Sequence, residues 1–214
     1  MADDLVFYTH PMSRGRIVRW MLEEVGQPYR TEIMDYETTL KAPAYLAINP
    51  MGKIPTVVHG GQVVTEAAAI CAYLADAFPQ AGLAPPPHDP SRAPYFRWLF
   101  FGAGPLEATI VNKSAGFIAG PEQSRMMGYG TFETTVNTLE KAVSEALGAS
   151  GYLAGDRFSA ADLYIGAQLG WALSFGAVEK RPAFERYLAT LTSRPAYVRA
   201  TAIDDKALAD LQAA

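Results

Sequence analysis

The stretch from Pro79 to Pro90, with Pro85-Pro86-Pro87 inside it, constrains the fold of this chain more than any other feature. Proline lacks the backbone donor and fixes φ, so neither a helix interior nor a central strand runs through such a segment. It reads as a stiff, extended linker. The residues on its two sides differ in kind. Before it, apolar residues switch between the period of a strand and that of a helix; after it, strand signals vanish and amphipathic helical stretches follow one another. By length alone, 214 residues make one large domain or two small ones. The shift in pattern selects two: a mixed α/β domain over residues 1–79, a linker over 80–90, and an all-helical domain over 91–214.

In the first part, Leu5 to Thr9 is a short apolar run suited to a buried strand, and Arg14 to Val25 sets Ile17, Met21, Leu22 and Val25 on one helical face. Gly26 is placed to end that helix. Tyr29, Thr31 and Ile33 alternate with polar residues as in a strand. Ile54 to His59 and Gln62 to Thr65 read as a hairpin around Gly60-Gly61, and Glu66 to Phe78 returns to helical spacing. The order is strand, helix, strand, a less regular helical stretch, strand, strand, helix, which is that of a thioredoxin-like fold. Beyond the linker, helices are expected from Tyr95 to Phe101, Arg125 to Leu147, Ala160 to Leu173 and Ala183 to Thr192. Ser159-Ala160-Ala161-Asp162 has the spacing of a capping box, with Phe158 and Leu163 placed to staple across it.

Composition narrows the function. Half of the residues are hydrophobic, 19% are charged, and the net charge is -4 with no run of Lys or Arg, so the footprint of a nucleic-acid binder is missing. The start, Met1-Ala2-Asp3-Asp4, is acidic where a secretory signal is basic, and no apolar stretch approaches the roughly 18 residues of a membrane span. A cytoplasmic protein with neither membrane nor nucleic-acid partner is expected, and Asn112-Lys113-Ser114 then reads as a chance sequon. The single cysteine, Cys71, lies among small and apolar helical residues and reads as a core position. His10, His59 and His88 are dispersed, so no metal is expected. No Gly-x-Ser-x-Gly elbow occurs, and Gly102-Ala103-Gly104 follows an aromatic helical run where a dinucleotide site needs a strand.

Three positions carry chemistry. Ile54-Pro55 opens a strand where proline is usually excluded. A cis bond there would turn the Ile54 amide and carbonyl outward to pair with an extended peptide; a trans proline at a strand edge is the plain alternative. Glu66 opens a helix, where free amides and the dipole favour an anion, so a ligand carboxylate could sit there while the Glu66 side chain accepts from a ligand ammonium. Equally, acidic residues are at home in any first helical turn. Ser13 sits where the first strand gives way to the first helix, and its hydroxyl could donate to a thiolate or simply cap the helix. A free thiol has a pKa of about 8.5, and lowering it by about two units takes roughly 2.7 kcal/mol of preferential anion stabilisation, which one or two charge-assisted hydrogen bonds can supply. Arg14, Arg16 and Arg19 either add positive potential nearby or form a solvated face.

With those residues in view, the chain resembles the cytosolic glutathione S-transferase family over nearly its whole length. Asn49-Pro50-Met51-Gly52-Lys53-Ile54-Pro55 and Thr65-Glu66 fall where that family binds glutathione, and Ser159 to Asp162 matches its capping box. Tyr8-Thr9-His10-Pro11-Met12-Ser13 resembles the serine-type, bacterial-type members. The resemblance implies that Ile54 holds the cysteinyl backbone, Pro55 is cis, Glu66 takes the γ-glutamyl group, and Lys53 approaches the glycyl carboxylate. Arg14 and Ala67 line the same site, Ala67 replacing the serine usual after the glutamate and so removing one hydroxyl. Ser13 is the expected activator of the thiol, with Tyr8 as the alternative hydroxyl. The resemblance further implies a homodimer that activates glutathione for transfer to a small, hydrophobic electrophile held against Met12, Phe101 and Pro105, in detoxification. Glutathione-dependent disulfide or peroxide reduction, and a non-catalytic binding protein, are the alternatives.

Overall fold

Four short strands open the first half in the computed structural model, which describes residues 4–213. They are β1 (Leu5–Thr9), β2 (Arg30–Ile33), β3 (Thr56–His59) and β4 (Gln62–Thr65), in the sheet order β2-β1-β3-β4. Residues Met1 to Asp3, most of the acidic start weighed above, lie outside the described residues. β2 runs parallel to β1, which requires a crossover, and α1 (Gly15–Val25) supplies it. β3 is antiparallel to β1 and β4 to β3, with Gly60 and Gly61 both at positive φ (55° and 78°) in the two-residue turn. Short α2 (Pro43–Leu46) precedes β3, and α3 (Ala67–Ala77) follows β4. The thioredoxin-like order read from the sequence is the observed one. Gly26 ends α1 in the left-handed conformation, its amide bonded to the Leu22 carbonyl.

Side chains alternate across β1. Phe7 faces Tyr29 edge-on and lies beneath the Arg19 guanidinium of α1, whereas Tyr8 joins the opposite layer, where Met34, Leu40 and Tyr45 are buried against Ile48 and Ile54. Helix α1 is buried over more than the expected face, because Val18, Arg19 and Trp20 are covered as well. Over Arg19 and Trp20 the cover comes from α10 (Pro195–Ala213), which packs along α1 and sets Asp204 and Tyr197 against them, while α3 packs on α1 as well. Chain contacts accordingly divide into one unit running up to Leu83 and resuming at Arg194, and a second over Ala84–Ser193. The expectation that 91–214 form one helical domain therefore differs from this grouping at its last helix.

The second unit holds α4 (Arg92–Phe101), α5 (Glu107–Ser114), α6 (Pro121–Met126), α7 (Phe132–Leu147), α8 (Ala160–Ser174) and α9 (Pro182–Thr192). The helix expected from Arg125 begins only at Phe132, because Gly128 takes a positive φ and the Thr131 side chain caps α7 by accepting from the Thr134 amide. Between α4 and α5 the helix widens into one π-type turn over Gly102–Leu106. Pro105 lies inside it, and a prolyl residue lacks the amide that a continuous α-helix would need. Helix α8 is the central one, buried from Ala160 through Gly166. Its capping box forms as read: the Ser159 amide and hydroxyl both donate to Asp162, which also accepts from the Leu153 amide and the Tyr187 hydroxyl. Burial pushes the Asp162 carboxyl up, against the pull of those four donors.

Candidate active site

The register of the sheet brings the chemistry-bearing loops to one rim. Tyr8 pairs with Thr56, and Thr56 with Thr65, so the end of β1, the start of β3 and the end of β4 lie in one row across the sheet. β2 is parallel to β1 and ends on the same rim at Ile33. Ser13 follows β1, Pro55 precedes β3, Glu66 follows β4, and the loop after Met34 follows β2. Residues far apart in sequence thus share one edge because of strand direction alone. Helices α1 and α3 both begin there, α3 directly behind Glu66, and the positive ends of both helix dipoles point at this rim.

At the Ser13 corner the hydroxyl is already engaged. It donates to the His10 carbonyl at 2.7 Å and accepts from the Gly15 amide at 2.9 Å, so it caps α1. Gly15 has no alternative, since a Cβ there would sit 1.8 Å from the Thr9 hydroxyl oxygen. The neighbouring turn is tied by the Met12 amide donating to His10 Nδ1 (3.1 Å) and by the Tyr36 hydroxyl donating to the Met12 carbonyl (3.0 Å). Tyr36 also packs against the His10 ring, tilted by 50° with centroids 4.7 Å apart. It belongs to a loop that Asp35 pins by accepting from the Glu37 and Thr38 amides and the Thr38 hydroxyl. Sequence reasoning missed Tyr36; the only signal was a lone aromatic in a polar stretch beyond β2. Met12 is 57% exposed beside Ser13. Tyr8, the alternative hydroxyl, turns its ring against Tyr45, 5.5 Å away, in the α2 layer.

The acceptor nitrogen of His10 fixes its tautomer: Nδ1 receives the Met12 amide, so a neutral ring carries its proton on Nε2. Burial lowers its pKa below the ordinary 6.5, and the Asp35 charge only partly opposes this. A group whose folded pKa is depressed gives stability that is full above the unfolded value and is lost as pH falls through the folded one. Acidification below about 6.5 should therefore loosen the turn that carries Ser13. Proton NMR of the His10 ring should give a midpoint under 6.5, and a midpoint at or above that value would contradict this tautomer and its hydrogen bond.

At the second corner the peptide bond between Ile54 and Pro55 is cis, as the resemblance implies. The loop is held from below by a buried network. The Lys53 carbonyl accepts from both the Tyr45 hydroxyl and the Asn49 amide, and Asn49 and Tyr45 also reach the Thr56 hydroxyl. The Lys53 side chain is exposed, and Ile54 is half-buried. Glu66 is exposed and holds φ 63°, ψ 116°, the sole non-glycine residue at positive φ among the described residues. Strain of this kind persists only where the surroundings impose it, and it concentrates at ligand sites. Ala67 is buried behind it.

The three arginines of the first helix part company. Arg19 is neither a solvated residue nor a free cation: it is 2% exposed, bound to Asp204 at 3.1 Å, and donates to Tyr29 and Thr31. Arg16 spends its guanidinium on the Pro11 carbonyl and Asp205. Arg14 remains half-buried at the Ser13 turn. Cys71 is fully buried, and burial pushes its thiol up, which removes it from chemistry. Phe101 and Pro105 are each half-buried in the second unit, at the end of α4 and in the π-type turn.

Comparison with known proteins adds to this geometry. The family model for the glutathione S-transferase N-terminal domain matches residues 12–77, and that for the glutathione S-transferase C-terminal domain matches 131–195. The chain is 31% identical to glutathione S-transferase GST-4.5 of Xanthomonas campestris over 162 residues, 75% of this chain and 76% of that one. It is also 31% identical to maleylacetoacetate isomerase of Pseudomonas aeruginosa over 168 residues, again 75% and 76% of the two chains. Among solved structures, a glutathione transferase from Methylococcus capsulatus superposes with a TM-score of 0.76 at 28% identity, covering 94% of this chain and 98% of the other. A sphingomonad glutathione S-transferase complexed with glutathione does so with a TM-score of 0.73 at 25% identity, covering 94% and 98%.

Proposed function

This chain belongs to the glutathione S-transferase family and is a glutathione transferase, and on that premise we propose that the rim of Ser13, Lys53-Ile54-Pro55 and Glu66-Ala67 is where it holds and activates glutathione. One observation carries the reading: the hydroxyl of Ser13 and the start of α3, with Glu66 held at positive φ just ahead of it, share a single sheet edge at which two helix amino termini lie. Glutathione brings two carboxylates, an ammonium and a thiol to such an edge. The γ-glutamyl carboxylate meets the first amides of α3, its ammonium meets the Glu66 side chain, the cysteinyl backbone pairs with Ile54, and Lys53 and Arg14 face the anionic peptide. Ala67 gives no hydroxyl, so the backbone amides carry that carboxylate. The thiol then lies toward Ser13, whose hydroxyl turns its hydrogen bond from the His10 carbonyl to the sulfur as the thiol proton passes to solvent.

Ser13 is preferred to Tyr8 on position, since Tyr8 turns into the α2 layer. We accordingly read the enzyme as a serine-type, bacterial-type member. The thiolate attacks a small hydrophobic electrophile, for which exposed Met12 offers a surface beside Ser13. Reduction by a cysteine of the protein's own is disfavoured by the burial of Cys71. We also read it as a cytoplasmic homodimer acting in detoxification. Phe96 and Phe100 are 38% and 72% exposed on α4 and gain cover on pairing, and among the described residues no helix is long and apolar enough to cross a membrane. Calorimetry tests the binding reading. Glutathione at millimolar concentration should give heat of binding, and Glu66→Ala should weaken it about tenfold, as expected for losing a charged hydrogen bond worth about 1.5 kcal/mol. No heat, or an affinity the substitution leaves untouched, overturns the assignment.

A further inference from the structure

We propose that Tyr36 is a positioning residue for Ser13, its hydroxyl holding the Met12 peptide so that the turn keeps its shape when the Ser13 proton leaves the His10 carbonyl for a thiolate. The inference rests on the reading of Ser13 as thiol activator and adds to it a residue that neither the motifs nor the capping geometry indicate. A serine hydroxyl has one proton. In this structure that proton is given to the His10 carbonyl at 2.7 Å, and the oxygen accepts from the Gly15 amide at 2.9 Å. Donation to sulfur therefore removes one of the three side-chain hydrogen bonds that tie the His10–Ser13 turn through its carbonyls. The Arg16 bond to the Pro11 carbonyl comes from α1 itself, and the Tyr36 bond to the Met12 carbonyl, 3.0 Å long, is the one that comes from outside the turn and its helix.

Tyr36 is well made for the task. Its ring packs against His10 in a tilted contact at 4.7 Å, and Asp35, next to it, gathers three donors from Glu37 and Thr38 and so anchors the loop. The phenol thus reaches the turn from an independently fixed segment, and it does not depend on the hydrogen bond that catalysis breaks. Burial raises the phenol pKa while the Ser13 hydroxyl opposes that rise, which places the two hydroxyls in each other's field. The phenol stays protonated near neutrality and remains a donor. A donor held in place before the charge forms contributes without reorganisation, and a turn left loose would let Ser13 fall back onto His10.

The test is ultraviolet titration of the bound thiolate in variants of the full-length protein. Tyr36→Phe should raise the apparent thiol pKa by about 0.5 to 1, the range expected for losing one neutral hydrogen bond, with kcat reduced more than glutathione affinity. In a Ser13→Ala background Tyr36→Phe should add almost nothing, because its effect passes through Ser13. A full additional rise in that background would show the phenol acting on sulfur itself and overturn the positioning role. If Ser13→Ala raises the pKa and Tyr36→Phe does not, the proposal fails while the serine reading stands; if neither moves it, the serine reading fails first. Tyr36→Leu removes the ring as well and should shift the pKa no less. A shift in Tyr36→Leu with none in Tyr36→Phe would assign the effect to packing on His10 and overturn the role of the hydroxyl.

Discussion

Ser13→Ala should raise the apparent pKa of enzyme-bound glutathione by about one to two units, the equivalent of losing a hydrogen bond of roughly 1.5–3 kcal/mol to a charged acceptor. Starting from a bound pKa of about 6.5, the thiolate fraction at pH 7 then falls by a factor of about 3 to 25, and the rate of transfer should fall with it. Ser13 also caps α1 through the Gly15 amide, so alanine carries a second cost of about 1 kcal/mol in stability. Ser13→Gly separates the two effects: glycine at a cap costs only a few tenths of a kcal/mol, yet it removes the hydroxyl just as completely. Both variants should show the same thiolate titration by ultraviolet absorbance, with different melting temperatures. Tyr8→Phe should leave the titration nearly unchanged. A large shift in Tyr8→Phe with none at Ser13 would reverse the assignment, and no shift in any of them would place the stabilisation on the helix amides or Arg14.

Asp204→Ala should destabilise the protein by about 3–5 kcal/mol, the cost of leaving a buried cation without its partner. Arg19 and Asp204 are each 2% exposed and meet at 3.1 Å between α1 and α10. Burial holds the Asp204 carboxyl above its ordinary range even with the guanidinium beside it, so desolvation outweighs attraction there. The pair is therefore costly to break and of modest net worth when intact, and replacing both members with apolar residues, Arg19→Met with Asp204→Leu, should recover most of the loss. Asp205, by contrast, is 60% exposed in its contact with Arg16, and Asp205→Ala should change stability by less than about 1 kcal/mol. Urea denaturation of the three variants decides the matter. Equal midpoints for Asp204→Ala and the wild type would mean that the Arg19–Asp204 pair contributes nothing to holding α10 on α1.

The strands, the first and third helices and the capping box were legible because each is written locally. Leu5–Thr9 is a continuous apolar run, Gly60-Gly61 permits the left-handed turn, and Ser159 and Asp162 stand at the one spacing that lets them satisfy each other. The candidate site residues were legible for a related reason, since a proline opening a strand and a serine at a strand-to-helix turn are local oddities. Tyr36 carried no such mark. It became part of the Ser13 corner only because β2 runs parallel to β1 and ends on the same rim.

The last helix shows the limit most sharply. Its buried residues are Ala196, Ala200 and Asp204, spaced by four but without a single large apolar side chain, so no hydrophobic period announces where it packs. Small side chains let it approach α1 closely, and Arg194 and Arg199 grip Glu24 and Glu23 from 170 and 176 residues away in the chain. Likewise Arg19 reads as a solvated residue on its own helix and becomes a buried cation only when Asp204 arrives. The sequence by itself determined the order of elements, their ends and the residues with unusual chemistry, because propensity, capping and turn geometry act over a few neighbours. Only the tertiary structure decided which unit α10 joins, which arginine is buried and which hydroxyl stands beside Ser13. Those depend on strand direction and on pairs of polar groups whose partners are remote in the chain, and no local pattern records them.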